Sequence, residues 1–303
     1  MVLPTWFCDR LRHGPPLLLD GATGTELERR GVATPPPLWS AAALLDHPDV
    51  VARIHADYVA AGADILVANT FRTGPRALRC AGIDTRGPEL NRLAVTLARE
   101  AAANARHRPV LVAASVAPVE DCYQPEHAPD EPTLAREHDR LIQWLAPASP
   151  DLIWIETIGT IREARAATAA ARAAGFPFVI SLVLRETGAL LSGEPLHAAV
   201  AAIEPQEPLA IGLNCIPPGG LSALLPRLRA TTRRPLVAYA HINNARPIPG
   251  WRSTEHLTPA RYAAIASGWV DLGARIVGGC CGTTPSHIAA LRKRWGRPGR
   301  DQS

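Results

Sequence analysis

Residues 152–157 read LIWIET: four apolar side chains in a row, then a carboxylate and a hydroxyl. An apolar run this short reads as a strand buried on both faces, the kind that parallel sheets use, and its abrupt polar ending marks where the chain leaves the core. The pattern recurs along the chain. LLLDG (17–21), ILVANTF (65–71) and VLVAASV (110–116) precede it, and FVISLVL (178–184), AIGLNC (210–215), LVAYAH (236–241) and RIVGGCC (275–281) follow, which makes eight.

Segments of helical length rich in Ala, Leu and Arg lie between these runs, among them PELNRLAVTLAREAAANAR (88–106) and IREARAATAAARAAG (161–175). Pro48, Pro88, Pro259 and Pro285 stand where helices begin, a position at which the missing N–H costs little. Eight strand-plus-helix units in about 280 residues match a closed (β/α)8 TIM barrel, whose usual size is roughly 250 residues. An open doubly wound sheet is the alternative, but no Gly-rich dinucleotide turn follows the first strand. The Pro-rich stretches TPPPLW (34–39), APVEDCYQPEHAPDEP (117–132) and HINNARPIPGW (241–251) fall inside βα units, so they read as loop insertions on one rim. Residues 1–303 are therefore expected to form a single barrel domain, with 1–15 as an N-terminal arm and 296–303 as a flexible tail.

At 303 residues and 47% hydrophobic content the chain can bury a full core. Its formal charge of +4 comes from 32 basic and 28 acidic side chains spread along the sequence, with no concentrated footprint for nucleic acid or an anionic membrane. No stretch approaches the roughly 18 apolar residues of a membrane span, and the N-terminus has no unbroken apolar core of a signal peptide. Cytoplasm is the expected compartment. There, six cysteines argue for thiols or metal ligands rather than a disulfide framework. The adjacent Cys280 and Cys281 are poor partners for each other, because neighbouring α-carbons stand about 3.8 Å apart, closer than most disulfides allow.

In a TIM barrel the ends of different strands share one face, and catalytic residues gather there. That rule brings together Asp20 and Gly21, Asn69 and Thr70, Ser115, Glu156 and Thr157, Asn214 and Cys215, His241, and Cys280 with Cys281. Strands six and eight lie next-but-one, roughly 10 Å apart, a gap that Cys215 and the Cys280–Cys281 pair can close by reaching inward. Three thiolates at one point suit zinc, and three protein ligands with an open fourth position mark a catalytic site. Gly278, Gly279 and Gly282 are expected to supply the backbone freedom that turns both neighbouring thiols toward one ion.

LLLDGATGTEL, PLWSAAALLDHPDVVARIHADYVAAGADILVANTF, GLNC and GGCCGTTPSHI resemble the homocysteine S-methyltransferase family over residues 17–291. The resemblance implies a (β/α)8 barrel with one Zn2+ per chain held by Cys215, Cys280 and Cys281, the fourth position receiving the sulfur of homocysteine. It places Asp20, Gly21, Thr70 and Glu156 around the amino acid part of homocysteine, where a carboxylate facing the ammonium group is what electrostatics asks for. A free thiol titrates near 8.5, and coordination removes its proton outright, giving a thiolate that attacks a methyl group on a sulfonium or quaternary nitrogen. Such a cationic donor suits an aromatic wall. Trp39 matches the family's Leu-Trp position, with Phe71, Tyr123 and Trp251 as further candidates.

The implied reaction is methyl transfer from a small onium donor, S-methylmethionine first and S-adenosylmethionine or betaine as alternatives, to L-homocysteine, giving L-methionine. Partners are then the thiol substrate and the donor, with neither nucleic acid nor membrane, in a monomer or homo-oligomer. The chain also departs from the family pattern. Ala68 stands where members often carry Thr, Ala240 and His241 replace a Tyr-Pro-Asn run, and Ala117-Pro118 keeps half of a Gly-Pro pair. His241 reads either as a fourth metal ligand or proton acceptor, or as a rim histidine bonded to a loop. Ala68 and the HINN loop leave another thiol or selenol open as acceptor, the vicinal cysteine pair leaves a non-catalytic zinc- or thiol-binding redox sensor, and a zinc hydrolase is a further reading. Thiolate ligation argues against the hydrolase by lowering the Lewis acidity that water activation needs.

Overall fold

The computed structural model describes residues 2–105, 108–242 and 257–296. All eight apolar runs are strands: β1 (Leu17–Leu18), β2 (Ile65–Ala68), β3 (Leu111–Val116), β4 (Leu152–Ile158), β5 (Phe178–Leu182), β6 (Ala210–Asn214), β7 (Leu236–Ala240) and β8 (Ala274–Gly279). Each pairs in parallel with its neighbours in the order β1-β8-β7-β6-β5-β4-β3-β2. A bridge between Leu19 and Ile65 joins β1 to β2 and closes the ring, so the architecture is the expected (β/α)8 barrel. The open-sheet alternative fails at that bridge.

The described α-helices are α1 (Thr5–Arg12), α2 (Gly24–Arg29), α3 (Ala43–Asp46), α4 (Pro48–Ala61), α5 (Pro75–Cys80), α6 (Gly87–Ala103), α7 (Glu131–Leu145), α8 (Ile161–Ala173), α9 (Leu196–Ile203), α10 (Pro218–Thr231), α11 (Pro259–Asp271) and α12 (Pro285–Trp295). Pro48, Pro88, Pro259 and Pro285 occupy first-turn positions, as expected. The segment expected to be an arm contains α1, whose Phe7 and Leu11 are buried.

Two apolar layers follow from the two faces of the strands. Alternate residues point inward, so Leu17, Leu19, Ile65, Leu111, Ala113, Leu152, Trp154, Val179, Val237, Tyr239 and Ile276 fill the barrel, and Phe7 and Leu11 plug its floor. The intervening residues pack against the helices in a second, larger cluster. Tyr239 and Trp154 lie deep in the inner layer. Their polar atoms need partners there, and those partners reach upward to the rim.

Candidate active site

The inward alternation that buries Leu152 and Trp154 carries Glu156 to the top of β4, at the mouth of the barrel. Its Oε1 accepts from Ser115 Oγ at 2.6 Å and its Oε2 from the Tyr239 hydroxyl at 3.2 Å. Tyr239 is held in turn by Trp154 Nε1, which donates to its oxygen at 3.0 Å, and by Ser181 Oγ at 2.5 Å. Four strands thus converge on one carboxylate. No cation pairs with Glu156 among the described residues, and Arg162, six residues on, donates to the Ala128 carbonyl. Burial raises the Glu156 carboxyl to about 7, against the pull of the Ser115 and Tyr239 hydrogen bonds.

Asp20 stands across the mouth. It is 2% exposed and accepts the Val67 N–H at 2.9 Å. Burial holds its carboxyl well above the ordinary range; the Val67 bond opposes this, and the nearby Glu156 charge adds to it. Gly21 beside it is glycine for a steric reason, because a Cβ would stand 2.7 Å from the Tyr58 hydroxyl and 2.9 Å from Thr283 Oγ1. Thr70 lies one step behind the site: its hydroxyl donates to the Ser115 carbonyl at 2.8 Å, fixing the residue that bonds Glu156.

The three cysteines meet as the strand-end rule requires. Cys215 is joined to Cys280 in a disulfide, where the sequence reading expected thiols, and Cys281 stays outside that bond. The Cys215 sulfur, the Cys281 sulfur and an imidazole nitrogen of His241 lie within 4.8 Å of one another, a group able to hold a metal ion. Backbone bonds lock this corner: Cys280 N–H donates to the Ala240 carbonyl at 3.0 Å, Cys215 N–H to Tyr239 at 3.2 Å, and His241 N–H to Ile216 at 3.0 Å.

The expected role of the glycines needs correction. Only Gly282 takes a positive φ, at 86°, whereas Gly278 is required by contact, since a Cβ there would meet Leu19 and the Asp20 carbonyl. The backbone strain sits instead on Cys215 at φ 51° and Thr157 at φ 63°. Neither residue is a glycine, and such conformations persist only where the surroundings enforce them. Asn214 enforces the one at Thr157, accepting the Thr157 N–H at 3.0 Å and donating to the Thr157 hydroxyl at 2.9 Å.

Trp39 stacks on Phe71 with ring centroids 6.1 Å apart, and the Arg72 guanidinium lies 4.3 Å from its ring centre. An onium donor at Trp39 would therefore share the ring with an existing cation. Trp251 lies outside the described residues. The sequence reading missed Tyr239 and Ser181, although a hydroxyl at an inward position of an apolar strand was a usable signal in both FVISLVL and LVAYAH.

A family model described as homocysteine S-methyltransferase matches residues 17–295. The homocysteine S-methyltransferase of Escherichia coli K12 is 33% identical over 92% of this chain and 94% of its own length. A selenocysteine Se-methyltransferase of Brassica oleracea var. italica is 30% identical over 91% of this chain and 88% of its own. Crystal structures of the Escherichia coli homocysteine methyltransferase MmuM in metallated and oxidised forms superpose with a TM-score of 0.82 each. They cover 94% of this chain at 30% and 31% identity, and 100% and 99% of the solved chains.

Proposed function

The chain belongs to the homocysteine S-methyltransferase family, and from that membership we propose that it moves a methyl group from a small onium donor, S-methylmethionine first, to the sulfur of L-homocysteine. The observation that carries this reading is the pair of carboxylates at the barrel mouth, buried Asp20 and half-buried Glu156, neither of which pairs with a cation among the described residues. A buried carboxylate without a counter-charge is costly, and the ammonium group of an amino acid removes that cost. Glu156, held in place by Ser115 and Tyr239, binds the ammonium group. Asp20 and the tight backbone at Gly21 close the other side.

With Cys215 and Cys280 reduced, these two and Cys281 would hold a zinc ion beside His241, a soft donor set that suits this metal. When bound, zinc holds the acceptor sulfur as a thiolate at neutral pH. In the transfer, homocysteine gives up its S–H proton to solvent and its sulfur forms the new bond to the methyl carbon. The donor's C–S+ bond breaks, and its electron pair stays on a sulfur that becomes neutral. Asn214 serves as a positioning residue, keeping Thr157 in its strained conformation.

Methionine formation from homocysteine, measured across S-methylmethionine, S-adenosylmethionine, betaine and methylfolate, tests the reading. It predicts turnover with S-methylmethionine and loss of it when metal is removed; full activity of metal-free protein would refute it. A selenol acceptor is a second reading, supported by buried Ala68, which offers no hydroxyl where members often carry Thr, and by the selenocysteine relative. Competition between homocysteine and selenocysteine in one assay separates the two.

A further inference from the structure

A cavity of about 330 Å³ opens on the same rim above β3, β4 and β5, and none of the cysteines, Asp20 or Glu156 lines it. Its polar wall consists of Glu126, Thr160, Arg162, Arg185, Ser192 and Glu194. Two guanidinium groups and two carboxylates thus share one small cavity, yet no ion pair forms among these four among the described residues. Each is held by something else. Arg162 donates from Nη2 to the Ala128 carbonyl at 2.6 Å, while its Nε is buried without a partner. Arg185 donates from Nε and Nη2 to the Leu191 carbonyl, leaving Nη1.

The carboxylates are half-used in the same way. Glu194 accepts the Ile161 N–H at 3.0 Å and the Ser192 hydroxyl at 2.6 Å, both on Oε2, which leaves Oε1. Glu126 is exposed and makes no bond to a described residue. The segment carrying Glu126 is fixed: Val119 N–H donates to Glu163 at 2.7 Å, Arg72 to the Glu120 carbonyl at 2.7 Å, and Arg162 to Ala128. The cavity is therefore a built wall, of the size that small ligands use. A purely anionic ligand would be repelled by the two carboxylates and a purely cationic one by the two guanidiniums. A zwitterion satisfies both pairs.

We propose that this cavity binds the zwitterionic head of an α-amino acid, its carboxylate on Arg162 and Arg185 and its ammonium group on Glu126 and Glu194. It is a second amino acid site, separate from the homocysteine pocket at Asp20 and Glu156. The charge pattern alone selects the head group; the choice of a methionine-type side chain rests on the methyl-transfer reading. Two sources share that chemistry: S-methylmethionine entering as donor, and free L-methionine acting on the enzyme as product.

Equilibrium dialysis without homocysteine, in a Glu156→Ala background that disables the homocysteine pocket, tests the site with both ligands as probes. One ligand per chain should remain, and Arg185→Gln or Glu126→Gln, each at an exposed residue, should weaken it by about tenfold, the value of one charged hydrogen bond. 3-(Methylthio)propylamine and 4-(methylthio)butanoate, each lacking half of the zwitterion, should bind more weakly by a similar factor. Absence of binding in the Glu156→Ala protein, or binding that both rim variants leave unchanged, overturns the proposal. A donor KM raised by Arg185→Gln identifies the donor's head as occupant. Inhibition by methionine that is noncompetitive with both substrates, and lost in the same variant, identifies the product. If neither changes, the proposal falls. Should the wild-type protein transfer no methyl group from any donor, the proposed function fails while dialysis still decides the site.

Discussion

The two ends of the barrel treat their carboxylates in opposite ways. At the floor, Asp64 is 2% exposed and is surrounded by Arg292 at 2.7 Å, Arg10 at 3.1 Å and Arg108 at 3.6 Å, with the Leu18 N–H at 2.9 Å. That carboxylate joins α1, the start of β2, the segment before β3 and α12, and its charge is more than matched. At the rim, buried Asp20 and half-buried Glu156 have hydrogen bonds but no cation among the described residues, and their carboxyls are pushed upward. A saturated carboxylate holds a fold together, whereas an unsaturated one is available to a ligand. Catalytic groups of such barrels gather at the strand ends that form the rim, and the floor serves stability.

Substitutions at the two ends should therefore separate chemistry from stability. The largest effect is expected at the rim: Cys281→Ser should reduce methyl transfer to background and bound zinc from one per chain to near none. Unfolding of the metal-free protein should shift by no more than about 0.5 kcal/mol. Metal analysis with urea unfolding checks both halves, and a large loss of stability would blur the contrast. At the floor, Asp64→Ala leaves three guanidiniums facing one another and should cost about 3–5 kcal/mol, as removal of one partner of a buried ion pair does. KM for homocysteine, measured where the variant is still folded, should not move.

A pH titration sharpens the comparison. Glu156 has a folded value of about 7, above that of an exposed carboxylate, so it costs the fold nothing while protonated. Stability of the ligand-free protein should fall as pH rises from the ordinary carboxylate range through about 7, where this carboxyl ionises. Binding of an amino acid head should strengthen through the same window, because the ammonium group meets an ionised partner. L-Norvaline, which has the head but no thiol, isolates this effect in calorimetry, and Glu156→Gln should flatten the profile. The smallest effect is expected for Tyr239→Phe. Trp154 and Glu156 lose a partner, at about 1–3 kcal/mol of stability, and the Glu156 titration moves upward because a hydrogen bond to its charged form is gone.

Much of the rim was legible in the sequence because strands buried on both faces declare themselves as apolar runs, and each run's first polar residue marks the rim. LIWIET exposed Glu156 in this way, and GLNC with GGCC exposed the three cysteines. The floor was not legible. Asp64 and its arginines come from positions 10, 64, 108 and 292, and no local pattern links a carboxylate to cations that only barrel closure brings near. The Trp154–Tyr239–Ser181 network was hidden for the same reason, since it depends on register between β4, β5 and β7. Reading the glycines of GGCCG as sources of backbone freedom held at Gly282 but not at Gly278, where close packing demands glycine, and it did not point to the positive φ of Cys215.

X-ray absorption at the zinc edge, on reduced protein with and without L-homocysteine, tests most directly whether the rim is a thiol-activating site. If Cys215, Cys280 and Cys281 hold the ion and the acceptor sulfur joins them, three sulfur neighbours should become four when homocysteine is added, and Glu156→Ala should require more homocysteine for the same change. A sulfur count that stays the same with saturating homocysteine, or a reduced protein that binds no zinc, would contradict it.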